Sequence, residues 1–517
     1  MCFFANRLPT IGLILLLTSL LSCQSEPATN LSQEALIPYP RQVIADSSNF
    51  VLSTKTVIHV LDEPKLRALA EYLQEAILEK TGLELPIEIG NDQVGRGNIY
   101  LRYWGAEVPK RGVEDYDLDI FKRDILLTAF ESEGLFRGIQ TLIQLISGEP
   151  SDTEKDIRKI PTGTIKDQPQ YAYRGMMLDV ARHFFEVEDV KRVIDLLALC
   201  KINYLHLHLA DDQGWRIEIK RYPLLTEIGG STEVGGGPGG FYTEEDYQEI
   251  IRYAQERYIT IVPEIDMPGH TNAALASYPE LNCSGVSPEL YTGTEVGFST
   301  LCTDKPEVLS FVANVIDDLA RMTPGPYIHI GGDESHVTAL EDYIPFISKV
   351  NGFVKKADKK MIGWDEISHA DYLSEAVVQY WRHAENALRG VEKGAKVLLS
   401  PAHKVYLDMQ YDSTTELGLH WAAYIEADSA YLWDPEAIAE GLDPEAILGI
   451  ESPLWSETVT NIDEIEYMVF PRLLAHAELG WSAPKHRNWE DFKRRFQVYQ
   501  AQLDALDVNY YRSPKLE

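Results

Sequence analysis

Tyr327-Ile-His-Ile-Gly-Gly-Asp-Glu-Ser-His336 is a short apolar strand that runs into two glycines and then two adjacent carboxylates, Asp333 and Glu334. A buried strand that finishes on glycines and acids is a poor end for a core element. It is a good way to present acid chemistry at the mouth of a pocket. The segments 175–180, 204–209, 260–265, 360–363, 376–380, 396–399 and 447–450 have the same form, each a short apolar run followed by polar or aromatic residues. Helical periodicity separates most of them, notably over 187–200, 243–257, 305–322 and 463–479. Eight strands with helical crossovers predict an α/β fold, a (β/α)8 TIM barrel over residues 168–512. A doubly wound open sheet is the rival, and it does not explain why every strand ends in polar or aromatic residues.

In a barrel all the strand ends meet at one mouth. The first brings Asp179 and Arg182 there, the second Asp211, and the third Glu264, Asp266 and His270. The fourth brings Asp333 and Glu334, and the fifth Trp364, Asp365 and Glu366. Trp381 follows the sixth, Tyr406, Asp408 and then Trp421 the seventh, and Trp455 and Glu457 the eighth. Tryptophans interleaved with acids and one arginine suit a sugar. Its apolar ring faces stack on aromatics, and its hydroxyls demand directional polar partners.

Two other readings use the same residues less fully. His206 and His208 lie on one side of their strand and, with Asp211, His270 and His329, would form a metal site, but the acids and tryptophans would then be idle. No metal or other cofactor is expected. The glycine-rich Ser231-Thr-Glu-Val-Gly-Gly-Gly-Pro-Gly-Gly240 lacks the Gly-Lys-Ser/Thr ending of a phosphate loop and reads as a flexible rim loop.

Asp179-Val-Ala-Arg-His-Phe-Phe185, Leu205-His-Leu-His-Leu-Ala-Asp-Asp-Gln-Gly-Trp215, Val262-Pro-Glu-Ile-Asp-Met-Pro-Gly-His270 and His329-Ile-Gly-Gly-Asp-Glu334 resemble glycoside hydrolase family 20, the β-N-acetylhexosaminidases. The resemblance spans about residues 37–512. It implies an exo-acting enzyme that releases terminal N-acetylglucosamine or N-acetylgalactosamine from β-linked glycans with retention. The substrate's own acetamido group would attack through an oxazolinium intermediate. On that pattern Glu334 is the general acid and base, Asp333 orients the acetamido N–H, and Tyr406 holds the acetamido oxygen. Trp364, Trp381 and Trp455 cage the acetyl methyl. Arg182 and Glu457 bind outer hydroxyls, Asp408 and Trp421 lie near the primary hydroxyl, and Asp211 and His270 support the acid pair. The chemistry asks that Glu334 start protonated and Asp333 stay ionised. Release of a terminal disaccharide, as by a lacto-N-biosidase, and a non-catalytic glycan-binding lipoprotein are the alternatives. Epimer preference, natural glycan and oligomeric state are left open.

The chain's 517 residues are 45% hydrophobic and carry a net charge of -33, which repels nucleic acid. Residues 1–22 read as a signal peptide: Arg7 is the only charge, and the apolar run 11–21 is short for a membrane span. Leu20-Leu-Ser-Cys23 resembles a bacterial lipoprotein signal. Cys23 would then be lipidated and the protein exported and anchored in a cell envelope, on a face the sequence leaves open. Residues 23–36 read as a tether and 37–167 as a smaller α+β domain, with strands at 56–60 and 98–102 and helices at 65–80 and 134–147. Cys2 leaves with the signal, and Cys200 fits the apolar face of its helix. Cys283 and Cys302 flank a polar loop and are expected to form a disulfide.

Overall fold

The computed structural model of the chain describes residues 30–90, 97–105, 107–146 and 157–517. The signal segment, Cys23 and the start of the tether lie outside the described residues. The strands of the first domain are β1 (Gln42–Ser53), β2 (Ile58–Val60), β3 (Ile87–Ile89), β4 (Asn98–Tyr103), β5 (Tyr116–Ile120), β6 (Asp124–Ala129) and β7 (Ile157–Asp167). They form one sheet in the order β1-β7-β5-β6-β4-β2-β3. The β1, β7, β5 and β6 pairings are antiparallel, and β6, β4, β2 and β3 run parallel. Helices Pro64–Thr81 and Ser132–Leu145 accompany the sheet. The second is buried over almost its whole circumference, polar residues included. Gly138 packs directly on Leu127 and Tyr116 of the sheet, while Phe136 meets Tyr258 of the barrel domain.

The barrel comprises β8 (Tyr173–Asp179), β9 (Tyr204–His208), β10 (Thr260–Glu264), β11 (Tyr327–His329), β12 (Lys360–Trp364), β13 (Val377–Tyr380), β14 (Lys396–Leu399) and β15 (Ile447–Leu454). Each strand pairs in parallel with the next, and β15 closes on β8, which excludes the open sheet. Crossover helices such as Val187–Leu199 and Glu244–Glu256 start at capping boxes, Glu186 with Asp189 and Thr243 with Asp246. Toward the bottom of the barrel Tyr173, Val262, Ile362, Val377 and Leu398 form one buried apolar cluster. Two residues beyond Val262 and Val377 come Glu264 and Gln379, which with His206, His329 and Glu451 make a buried polar layer. The mouth lies above that layer.

Two expectations need correction. The tether does not extend to residue 36: Leu31 and Leu36 are 1% and 2% exposed, and Arg495 donates to the Leu36 carbonyl at 2.7 Å. These leucines are apolar enough to dock as soon as a surface is offered. The helix expected over 463–479 is two helices, Ile462–Val469 and Arg472–Trp481. Pro471, with no N–H to donate, interrupts them.

Buried charges join the two domains. Glu114, from the first, accepts Arg137 Nε at 2.8 Å and pairs with Arg174 of β8. Asp167, at the end of β7, accepts Tyr116 Oη at 2.7 Å, Lys201 Nζ at 3.1 Å and Trp481 Nε1 at 3.0 Å.

Candidate active site

The strand β11 ends at His329, and the chain then turns through Gly331 and Gly332 at φ 63° and 96°. A Cβ on Gly331 would sit 1.8 Å from Asp266 Oδ1, so only glycine fits. That same Oδ1 accepts the Gly332 N–H at 3.1 Å, and Tyr343 Oη donates to the Gly332 carbonyl at 2.6 Å. The turn delivers Asp333, buried, and Glu334, whose side chain is 22% exposed. Glu334 is itself at φ 39°, and His270, which faces it, at φ 54°. Two non-glycine residues in left-handed backbone, meeting at one point, mark a place where function overrides local comfort.

His270 Nε2 stands 3.7 Å from Asp333 Oδ2 and 3.9 Å from Glu334 Oε2, and its Nδ1 is 3.1 Å from Asp211 Oδ1. Burial alone would lower the imidazole pKa, but Asp211 and Asp333 outweigh it and hold it well above the usual range. Asp211 also meets Arg182 Nη2 and His208 Nε2, each at 2.8 Å. Burial would raise its carboxyl, and Arg182 and His270 instead keep it well below the ordinary value. Asp211 and His270 therefore form a charged support directly behind the acid pair.

Asp333 departs from expectation. Burial, and then Asp266, push its carboxyl well above the ordinary range, with His270 opposing. Asp266 is pushed up to about 7 by burial. Proximity of like charge in a buried site works against the ionised Asp333 that the chemistry calls for, until a cation arrives.

The aromatic residues adjoin one another. The rings of Trp364 and Trp455 lie 5.6 Å apart, Trp455 and Tyr406 6.4 Å, and Tyr406 and Trp381 6.5 Å at an interplanar angle of 13°. Trp421 packs edge-on against Trp381 and Tyr406 and is 52% exposed, so it forms the outer wall. Trp364 donates its indole N–H to Glu264 at 3.1 Å. Arg182 lies over the Trp455 ring at 4.7 Å and is aimed by Asp179, which accepts the Ala181, Arg182 and Ser456 N–H groups. Asp408 is buried, and burial and then Glu457 push its carboxyl well up. Glu457 is raised by burial, with Arg182 opposing.

The expected mouth residues thus adjoin one another at the ends of the barrel strands, while Cys283 and Cys302 are bonded to each other at the two ends of a loop of their own, with Cα atoms 4.8 Å apart. The glycine-rich loop lies on the rim and is clasped by Arg216, which donates to the Gly230, Thr232 and Gly240 carbonyls. The barrel histidines are engaged by carboxylates: His206 lies between Glu451 and Glu264, and His208 between Glu264 and Asp211. Each ring nitrogen of the two histidines lies within 3.0 Å of a carboxylate oxygen, and His206 Nε2 makes no hydrogen bond there. The sequence reading gave no role to Glu264, Asp266 or Glu366. Their signal was the position of an acid at or just past a strand end, which does not tell which neighbour it will meet.

Comparison with known proteins gives one answer. The model of glycosyl hydrolase family 20, catalytic domain, matches residues 171–484, and that of glycosyl hydrolase family 20, domain 2, matches residues 33–168. A β-N-acetylhexosaminidase of Cellulomonas fimi is 40% identical over 483 residues, covering 92% of this chain and 96% of that protein. The structure of the family 20 β-N-acetylhexosaminidase from Streptomyces coelicolor A3(2) superposes with a TM-score of 0.89 at 45% identity, covering 94% of this chain and 99% of that one. A mutant Streptomyces plicatus β-hexosaminidase in complex with product GlcNAc gives a TM-score of 0.89 at 44% identity, covering 95% and 98%.

Proposed function

The chain belongs to glycosyl hydrolase family 20, and from that premise we propose that it removes terminal N-acetylhexosamine from β-linked glycans, with the substrate's acetamido group as nucleophile. The observation that supports this most is the glycine-hinged Asp333–Glu334 pair set against the ring of Trp364, Trp381, Tyr406 and Trp455. Most retaining glycosidases need a second carboxylate as nucleophile, and family 20 is an exception.

In the first step the acetamido carbonyl oxygen bonds to the anomeric carbon as the bond to the leaving oxygen breaks. That oxygen takes the proton of Glu334. The product is a cyclic oxazolinium whose N–H carries positive charge. Asp333 accepts that N–H, and the developing cation draws its carboxyl into the ionised form that burial disfavours. Tyr406 Oη donates to the acetamido oxygen and aligns it. Trp364, Trp381 and Trp455 enclose the methyl and exclude water. In the second step Glu334 takes a proton from water, which attacks the same carbon and restores the acetamide. Two inversions at one carbon give retention. Arg182, with its fixed planar fork, suits a bidentate contact to outer hydroxyls. Glu457 joins it there, and Asp408 and Trp421 face the primary hydroxyl.

The test is a pair of aryl glycosides differing only at carbon 2. The 2-acetamido sugar should be hydrolysed and the plain β-glucoside left essentially untouched; equal rates would refute the reading.

The segment 11–23 supports a further proposal, that the protein is exported and held at a bacterial envelope by a lipid on Cys23. Mass spectrometry of the native N-terminus should find an acylated Cys23, and an unmodified cysteine would end that proposal.

A further inference from the structure

Asp365 and Glu366 follow β12 directly, and neither has a part in the chemistry above. Both reach Trp381. Asp365 Oδ2 accepts the backbone N–H groups of Trp381, Arg382 and His383 at 3.3, 3.0 and 3.0 Å, and its Oδ1 accepts Asn386 Nδ2 at 2.6 Å. The turn after β13 is thereby fixed as backbone. Glu366 reaches the same tryptophan from the other end: its Oε2 accepts Trp381 Nε1–H at 3.1 Å. The indole so held lies nearly parallel to Tyr406 and edge-on to Trp421 at 76°. Packing alone restrains an aromatic ring only while its neighbours stay in place. A hydrogen bond at the indole nitrogen also fixes which way the ring faces.

We propose that Glu366 is a positioning residue for the reaction: by holding Trp381 Nε1–H it sets the plane of the indole against Tyr406, and so sets the size of the 2-acyl group that the pocket accepts. This rests on the reading of Trp381 as a wall of the acetamido cage. Burial, and then Asp365 and Asp333, push the Glu366 carboxyl well above its ordinary range. A neutral carboxamide with an oxygen in the same place is therefore a close replacement, which separates the role of the acceptor from that of charge.

The experiment uses the full chain as wild type, W381F, E366A, E366D, E366Q and the double variant W381F/E366A. Their kcat and KM are measured on aryl 2-acetamido and aryl 2-butanamido glucosides. W381F and E366A should each narrow the preference for acetyl over butanoyl by about tenfold, the loss expected for one positioned contact. E366D, which keeps the carboxyl and shortens its reach, should behave like E366A and serves if E366A does not fold. E366Q should stay within about threefold of wild type, since its amide oxygen still accepts the indole proton. Adding E366A to W381F should cost little more, because the two act through one ring. The 15N-indole resonance of Trp381, assigned by its absence in W381F, should move in E366A and return in E366Q. A purely structural Glu366 would lower stability without moving that resonance or the acyl preference. If W381F changes the preference and E366A and E366D do not, this proposal is wrong and the cage stands. If no variant changes it, the cage reading falls as well.

Discussion

Asp333 is buried beside Asp266, and two carboxyls so placed cannot both ionise freely. Since the proposed mechanism requires ionised Asp333, kcat/KM should fall as pH drops through the apparent pKa of the pair. Asp266→Asn keeps an oxygen for the Gly332 N–H and removes the like charge, so Asp333 should ionise at lower pH. The acid limb of the kcat/KM profile should then move to lower pH; an unmoved or rising limb would contradict the assignment. Glu334→Gln removes the proposed proton donor. It should slow substrates with poor leaving groups by about 100-fold or more, and activated aryl substrates much less. Retained turnover of the poor leaving group would remove Glu334 from its role. The Asp333–Glu334 pair was legible because the two acids are adjacent in sequence after an apolar strand. The contacts of Asp266 with the Gly331–Gly332 turn, and of Glu366 with Trp381, were not, since each joins different strand ends that meet only when the barrel closes.

Among the elements, the turn after β11 is the most constrained. Gly331→Ala would place a methyl into Asp266 Oδ1 at a positive φ. We expect it to cost about 1–3 kcal/mol of stability. By shifting the acid pair it should also reduce kcat about 100-fold, with a smaller change in KM. Denaturant unfolding and steady-state kinetics measure both, and a variant with unchanged kcat would show that the turn does not position the acids. The eight barrel strands could be read because each is a short, largely apolar stretch with a defined end. The break at Pro471 was missed because apolar periodicity continues on both sides of it. The docking of Leu31 and Leu36 was missed because a short polar segment with two isolated leucines shows no period at all.

At the scale of the whole molecule, two of the buried charge clusters bear directly on how the domains and the barrel hold together. One is the domain junction, where Glu114 pairs with both Arg137 and Arg174, none of them more than 5% exposed at the side chain. Composition revealed neither partner, because a buried ion pair looks like surface polarity until the domains are joined. The other is the polar layer inside the barrel. Burial would lower the His206 pKa, but Glu451 and Glu264 outweigh it and lift it to about 9. A histidine whose folded pKa lies above its unfolded value stabilises fully below about pH 6.5, and that contribution is lost as pH rises toward about 9. The expected loss is on the order of 3 kcal/mol. Thermal unfolding between pH 6.5 and 9 should show it, and His206→Gln should flatten the slope; a profile as steep in the variant would place the titration elsewhere.

The claim on which the account depends is that the acetamido oxygen of the substrate is the nucleophile. It is tested most directly by replacing the acetyl methyl hydrogens with fluorine, one at a time, in an aryl 2-acetamido glucoside. Fluorine changes the size of the methyl little and withdraws electrons from the carbonyl oxygen. The account predicts that kcat/KM falls steeply with each fluorine, while binding of the product sugar to the Trp364, Trp381 and Trp455 pocket changes little. A flat series, or a glycosyl group trapped covalently on a carboxylate of the protein, would contradict it.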